Sequence, residues 1–187
     1  MRPFAPMITL ARAVAAAALI ASAAPAAAHK AHVHGAATIQ VVVKADRLSV
    51  EIESALDNLL GFEHAPRSDA ERRRVDALAA RLRDAGTVAA TPPEAGCTAG
   101  SVRLEAPVLA GTRAHDGPAG APPAADGGHG HLSARYEFTC ATPQALAWLE
   151  LRLFDGFPRL ARIDAQAVGP RGQTAQRLTR DKRRLRL

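Results

Sequence analysis

Apolar and polar residues alternate most cleanly near the start of the chain. Ala36 to Lys44 (AATIQVVVK) and Leu48 to Ser54 (LSVEIES) are β-prone runs on either side of Ala45-Asp46-Arg47. In the second, Leu48, Val50 and Ile52 alternate with Ser49, Glu51 and Glu53, the pattern of a half-buried strand. The two runs predict a hairpin, although the residues between them are poorer turn formers than Asn-Gly. Ala55 to Pro66 (ALDNLLGFEHAP) shows neither period and is expected to be irregular. Ser68-Asp69-Ala70-Glu71 then offers a capping box. Val75, Leu78, Ala79 and Leu82 follow at helical spacing, and Gly86 stands past the end. This predicts an amphipathic helix of about 16 residues lying on a sheet, with its arginines on a solvated face.

Later segments return to the strand period. Ser101 to Pro107, Leu132 to Cys140, Trp148 to Phe154 and Arg162 to Val168 are strand candidates. Thr142-Pro143 opens a helical turn by cap logic, and Phe157 to Leu160 and Gly169 to Gly172 are turns. Arg184, Leu185, Arg186 and Leu187 alternate as in an edge strand guarded by charge. The expected fold is α+β: a mostly antiparallel sheet, one main amphipathic helix and an insertion over residues 107–131. From Ala110 to Gly130, 15 of 21 residues are Ala, Gly or Pro, so this stretch cannot bury enough apolar surface to order itself.

The first 28 residues change the setting. Arg2 and Arg12 precede an Ala/Val/Leu/Ile run from Ala13 to Ala24 broken only by Ser22, which closes on Pro25-Ala26-Ala27-Ala28, a small-x-small cleavage pattern. The run is short for a membrane span and no stop-transfer pattern follows. Residues 1–28 therefore predict a signal peptide and residues 29–187 one domain in the periplasm, with no stable membrane insertion after cleavage. An uncleaved anchor is the alternative. The formal net charge is +6, but Arg177 to Leu187 alone holds six basic residues against one acid. The rest of the exported domain is close to neutral, and nothing predicts the basic face across a fold that nucleic acid requires. Cys97 and Cys140 are the only cysteines. In an oxidising compartment an even pair predicts a disulfide, contributing about 4 kcal/mol in the chain-entropy model.

The candidate chemistry is imidazole. His29-Lys30-Ala31-His32-Val33-His34 follows the cleavage pattern. In an extended segment His32 and His34 project to one side, a chelating pair for Zn²⁺ or Cu²⁺. Cleavage after Ala28 would let the α-amine and ring of His29 bind a metal together. Glu63 and His64 are adjacent, so both reach one ion only from a turn. His129-Gly130-His131 repeats the HxH spacing at the end of the insertion. No GxSxG, HExxH, phosphate loop or catalytic-cysteine setting occurs, so the chain is not expected to be an enzyme.

Four segments occur in the order of a known family: Ala31-His32-Val33-His34-Gly35-Ala36-Ala37; Asn58-Leu59-Leu60-Gly61-Phe62-Glu63-His64-Ala65-Pro66; Tyr136-x-Phe138-x-Cys140; and Leu153-Phe154-x-x-Phe157-Pro158. They resemble the zinc-regulated periplasmic ZrgA family, and GFEHAP is the most specific of them. The resemblance implies a periplasmic protein made under zinc limitation that binds Zn²⁺ and assists its import. It also implies a small α+β fold with one chief helix, with metal ligands at His32, His34 and His64. Family insertions usually carry long His/Asp/Glu runs, whereas this one holds only His115, His129 and His131 among its histidines. The expected ligand set is His32, His34 and His64, with Glu63 or a flexible His129/His131 completing it. Cu²⁺ or Ni²⁺ are the expected competitors. An alternative reading is an adaptor for a zinc-transporter component in which metal binding is secondary.

Overall fold

The computed structural model describes residues 34–110 and 130–187, and the two other segments of the chain lie outside the described residues. The fold is α+β. Its strands are β1 (Ala36–Lys44), β2 (Arg47–Ala55), β3 (Ala89–Ala90), β4 (Cys97–Glu105), β5 (His131–Cys140), β6 (Trp148–Leu151), β7 (Arg162–Gly169), β8 (Gly172–Leu178) and β9 (Arg184–Arg186). The helices are α1 (Leu56–Leu60), α2 (Asp69–Arg83), α3 (Ala85–Val88), α4 (Pro107–Ala110) and α5 (Leu153–Gly156). Six strands form one sheet in the order β4-β5-β2-β1-β7-β8, and β3-β6-β9 form a small second sheet. Among the described residues no helix is long and apolar enough to cross a membrane.

The hairpin forms as the alternation predicts, with Ala37 opposite Ser54 and Lys44 opposite Arg47. Its tight turn places Ala45 at φ 54, which is left-handed for a residue with a Cβ. The Cys140 N–H donates to the Asp46 carbonyl at 2.8 Å and holds that turn against β5. Ile39, Val41, Leu48, Val50, Ile52, Ala134, Tyr136 and Ile163 fill one face of the large sheet, each at most 3% exposed.

The helix α2 covers that face with Val75, Leu78, Ala79 and Leu82. Its start is capped as expected: Ser68 Oγ accepts from the Glu71 N–H at 3.2 Å. The Glu71 carboxylate reaches back one residue further than a simple capping box, accepting from the Arg67 N–H at 2.6 Å. The helix ends at Arg83. Asp84 then accepts from the Gly86 N–H at 3.0 Å and opens the separate turn α3, so Gly86 does not terminate α2.

Tyr136 ties sheet to helix, its hydroxyl donating to the Leu82 carbonyl at 2.8 Å. Burial pushes its phenol well above the usual range, so it stays a neutral donor. Tyr136→Phe keeps the ring but loses that bond. It is expected to lower stability by about 1 kcal/mol in urea unfolding, and an unchanged midpoint would show the bond to be worth nothing net.

Two expectations are corrected. Residues 55–66 are not irregular throughout: Leu56–Leu60 form α1, closed by the Gly61 N–H donating to Asp57 O, with Gly61 at φ 85. The strand expected over Trp148 to Phe154 stops at Leu151, where its pairing with β3 and β9 ends. Leu153 and Phe154 turn into the core as α5, at 2% and 0% exposed. The large sheet is mostly antiparallel, as expected, with β1 parallel to β7 its one exception among the described strands. Cys97 and Cys140 stand opposite each other on β4 and β5 and are disulfide-bonded. Pro107–Ala110 is helical and His131 begins β5, so both ends of the insertion expected over 107–131 have regular structure.

Candidate metal centre

Strand directions gather the candidate residues at one end of the large sheet. The start of β1, the end of β2, the start of β5 and the start of β7 all lie there, because Ala37 pairs with Ser54, Ala55 with His131, and Ala36 with Arg162. α1 follows directly from β2 and sits at the same end.

His34 precedes β1 in a turn, with Gly35 at φ 73. His34 thus stands in the turn just ahead of the strand. The side chain of His34 is 79% exposed, and Nδ1 lies 3.3 Å from Asp57 Oδ2. A carboxylate only accepts, so Nδ1 is the donor, and in the neutral ring Nε2 is then the nitrogen with a free lone pair. Asp57 also faces the Arg159 guanidinium at 3.6 Å. A carboxylate behind an imidazole is the arrangement that orients metal-ligating histidines.

Asn58 fixes the approach of this segment. It is 1% exposed, accepts from the Gly35 N–H at 2.6 Å and donates to the Ala36 carbonyl at 2.8 Å. Its amide also reaches Ser54 Oγ at 3.3 Å. One side chain of α1 thus pins the two residues that follow His34.

His64 lies in the loop after α1, as a turn-borne ligand requires. Its ring stacks on Phe62 with centroids 5.0 Å apart. Nδ1 is 2.8 Å from the Ala65 carbonyl, so Nδ1 is again the donor and, in the neutral ring, Nε2 is the nitrogen a metal could take. Glu63 is beside Gly130: a Cβ built on Gly130 would lie 2.6 Å from the Glu63 carbonyl oxygen and 2.5 Å from Leu56 Cδ1. The Leu56 N–H also donates to Gly130 O at 2.8 Å. The chain entering β5 is therefore packed against α1 and the Glu63 backbone, which sets His131 at the same sheet end. Gly130→Ala is expected to force these backbones apart, lowering stability by about 2 kcal/mol in thermal unfolding; a native melt would show that the two segments separate freely.

The structure brings His34 to Asp57 and Gly130 to the Glu63 backbone. Among the described residues, no three His, Cys, Asp or Glu side chains come together as a metal-holding group. His29, His32 and His129 lie outside the described residues. Sequence reading missed Asp57, Asn58 and Arg159, whose roles arise only once α1 and β7 are placed beside the start of β1. The signal available for the first two was their position in the same segment as His64.

A family model described as ZrgA family zinc uptake protein matches residues 31–187. No curated protein matches the chain.

Proposed function

The chain belongs to the ZrgA family of zinc uptake proteins, and from that premise we propose that it captures Zn²⁺ in the periplasm and assists its uptake under limitation. Its role in zinc uptake follows from the family; capture by its own side chains is the finer reading. One observation carries it: His34 and His64 both have Nδ1 committed to an oxygen, Asp57 Oδ2 and Ala65 O, leaving Nε2 of each for a metal. Zinc accepts such imidazole nitrogens with carboxylate oxygens in a tetrahedral set. His32 and His34, with His64, are the first ligands, and Glu63, His129 or His131 completes the set. His29 and its α-amine add a further donor pair if cleavage follows Ala28.

The protein acts as a binder and not as a catalyst. Capture occurs after export and cleavage of residues 1–28, and the ion passes to a component of a zinc transporter. Cu²⁺ and Ni²⁺ compete where they are available, since imidazole sites follow the Irving–Williams order.

The test is zinc titration calorimetry on residues 29–187 beside the variant His32→Ala/His34→Ala. At about pH 7.5 histidine is mostly neutral, and binding should weaken as pH falls below about 6. Sub-micromolar binding is expected to drop at least ~100-fold in the variant, the scale for losing fixed zinc ligands and their orienting partners. Equal affinity in the two proteins would remove the N-terminal pair from the site and favour a protein-contact role.

A further inference from the structure

The cations near the C-terminus are not spread over a solvated face. Arg180, Lys182, Arg183, Arg184 and Arg186 line a cleft of about 630 Å³, with Glu150 and Asp181 as its acids. We propose that this cleft docks an acidic, extended segment of a partner protein.

The cleft is built, and several of its cations are held in place by the fold. The turn under it is closed by the Thr179 N–H donating to Lys182 O at 3.1 Å and the Lys182 N–H donating to Thr179 O at 3.0 Å. Arg183 Nε donates to Arg180 O at 2.6 Å, and its guanidinium grips both oxygens of Asp155 at 2.7 and 2.8 Å. Arg184 bonds Glu150 at 2.8 Å and lies over the Trp148 ring, 4.4 Å from the centroid. Arg180 is held over the Phe154 ring at 6.0 Å. Among the described residues no carboxylate pairs with Arg180, Lys182 or Arg186, and all three are exposed.

Like charges gathered in a concavity repel, and an anion entering it relieves that repulsion. The core needs only Leu178 and Leu185 from this region, both 0% exposed, so folding alone does not call for the cations. Arg184 and Arg186 stand two apart on β9, their Cα atoms about 6.6 Å apart as on an extended peptide, and since Arg184 is already on Glu150, Arg186 is the one of the two open to a partner's carboxylate. Guanidinium groups match carboxylates in geometry as well as charge.

A peptide fits better than a lipid surface. Binding to a lipid surface adds apolar burial at the acyl boundary to attraction between cations and headgroups, and only the second is on offer here. The large exposed hydrophobics among the described residues are Val42 and Val168, and neither lines this cleft. The proposal does not depend on zinc capture.

Fluorescence anisotropy of a labelled oligoglutamate about eight residues long, enough to span the cleft extended, tests it on residues 29–187. That chain contains the whole compact unit His32–Leu187. Chelator in the buffer prevents zinc from bridging peptide and protein, so failure here and failure of zinc capture are separate results. Lys182→Glu/Arg186→Glu is expected to weaken binding about tenfold or more, and Arg73→Glu/Arg74→Glu on the outer side of α2, with the same charge change, about twofold or less. Lys182→Ala/Arg186→Ala, expected to lose several-fold, covers the case in which the reversal perturbs folding. Equal losses in the two charge-reversed proteins would reduce the effect to net charge and overturn the site. So would absent binding of the unaltered chain, or binding to anionic phospholipid vesicles without binding to the peptide.

Discussion

Replacing Cys97 and Cys140 together by serine is expected to lower the unfolding free energy by about 4 kcal/mol. The bond joins residues 43 apart in sequence. In the unfolded chain it closes a loop whose freedom returns when the bond is removed. The native side adds to the effect. β4 is an edge strand of the large sheet, most of its residues are exposed, and its pairing with β5 is interrupted between Ala99 and Val102. None of its residues is fully buried, so beyond the ladder to β5 and the partly buried Val102 and Leu104 the bond to the buried Cys140 is its firmest tie to the core. Urea unfolding of the oxidised chain and the double variant measures the difference. Hydrogen exchange should show protection lost first along β4 and in the partnered part of β5, while the β1–β2 hairpin keeps most of its own. A stability change below about 1 kcal/mol would mean that the loop is already restrained without the bond, contrary to the chain-entropy account.

The elements that could be read from the sequence are those whose causes are local. The hairpin needs only the period of two in Leu48, Val50 and Ile52 and a short turn. The start of α2 needs only Ser68 and Glu71 within one turn of chain. The disulfide needs two cysteines and an oxidising setting. What could not be read depends on distant partners. α1 is five residues long, too short to form alone, and it exists where Leu56, Asn58 and Leu60 are buried, with α2 and β2 packed on it and Asn58 tied to Gly35 and Ala36. The parallel pairing of β1 with β7 joins segments more than a hundred residues apart, and neither carries a mark of it. β6 stops where its partners stop, although the apolar alternation continues through Leu153. The same division runs through the candidate site. His34 and His64 stand out because imidazole chemistry is visible in one letter. Asp57 acquires a role only when the end of β2 delivers it to the start of β1. Gly130 is a further case, since its packing on Leu56 and Glu63 follows from the β2–β5 register.

Asn58→Ala is expected to lower stability by about 3 kcal/mol and to weaken zinc binding in the same protein. Asn58 is 1% exposed, and its oxygen and nitrogen satisfy the Gly35 N–H and the Ala36 carbonyl. Alanine supplies neither, and each buried backbone group left without a partner costs about 1–3 kcal/mol. The loss is not confined to the fold. Gly35 follows His34 directly, and its positive φ sets the turn that carries the imidazole to Asp57. Released from Asn58, that turn can leave the sheet end, and His34 loses the carboxylate that fixes its tautomer. Asn58→Asp separates hydrogen bonding from side-chain volume as the cause. Its oxygen still accepts from Gly35, but its second oxygen meets the Ala36 carbonyl, acceptor against acceptor, and an unpaired charge is buried. It should destabilise at least as much as alanine, so side-chain volume cannot be the cause. Calorimetric zinc titration of Asn58→Ala well below its melting temperature then decides what Asn58 does for the site. A folded variant with weaker zinc binding means that α1 holds the N-terminal ligands in place. Unaltered affinity would mean that the histidines reach the ion without the turn being held.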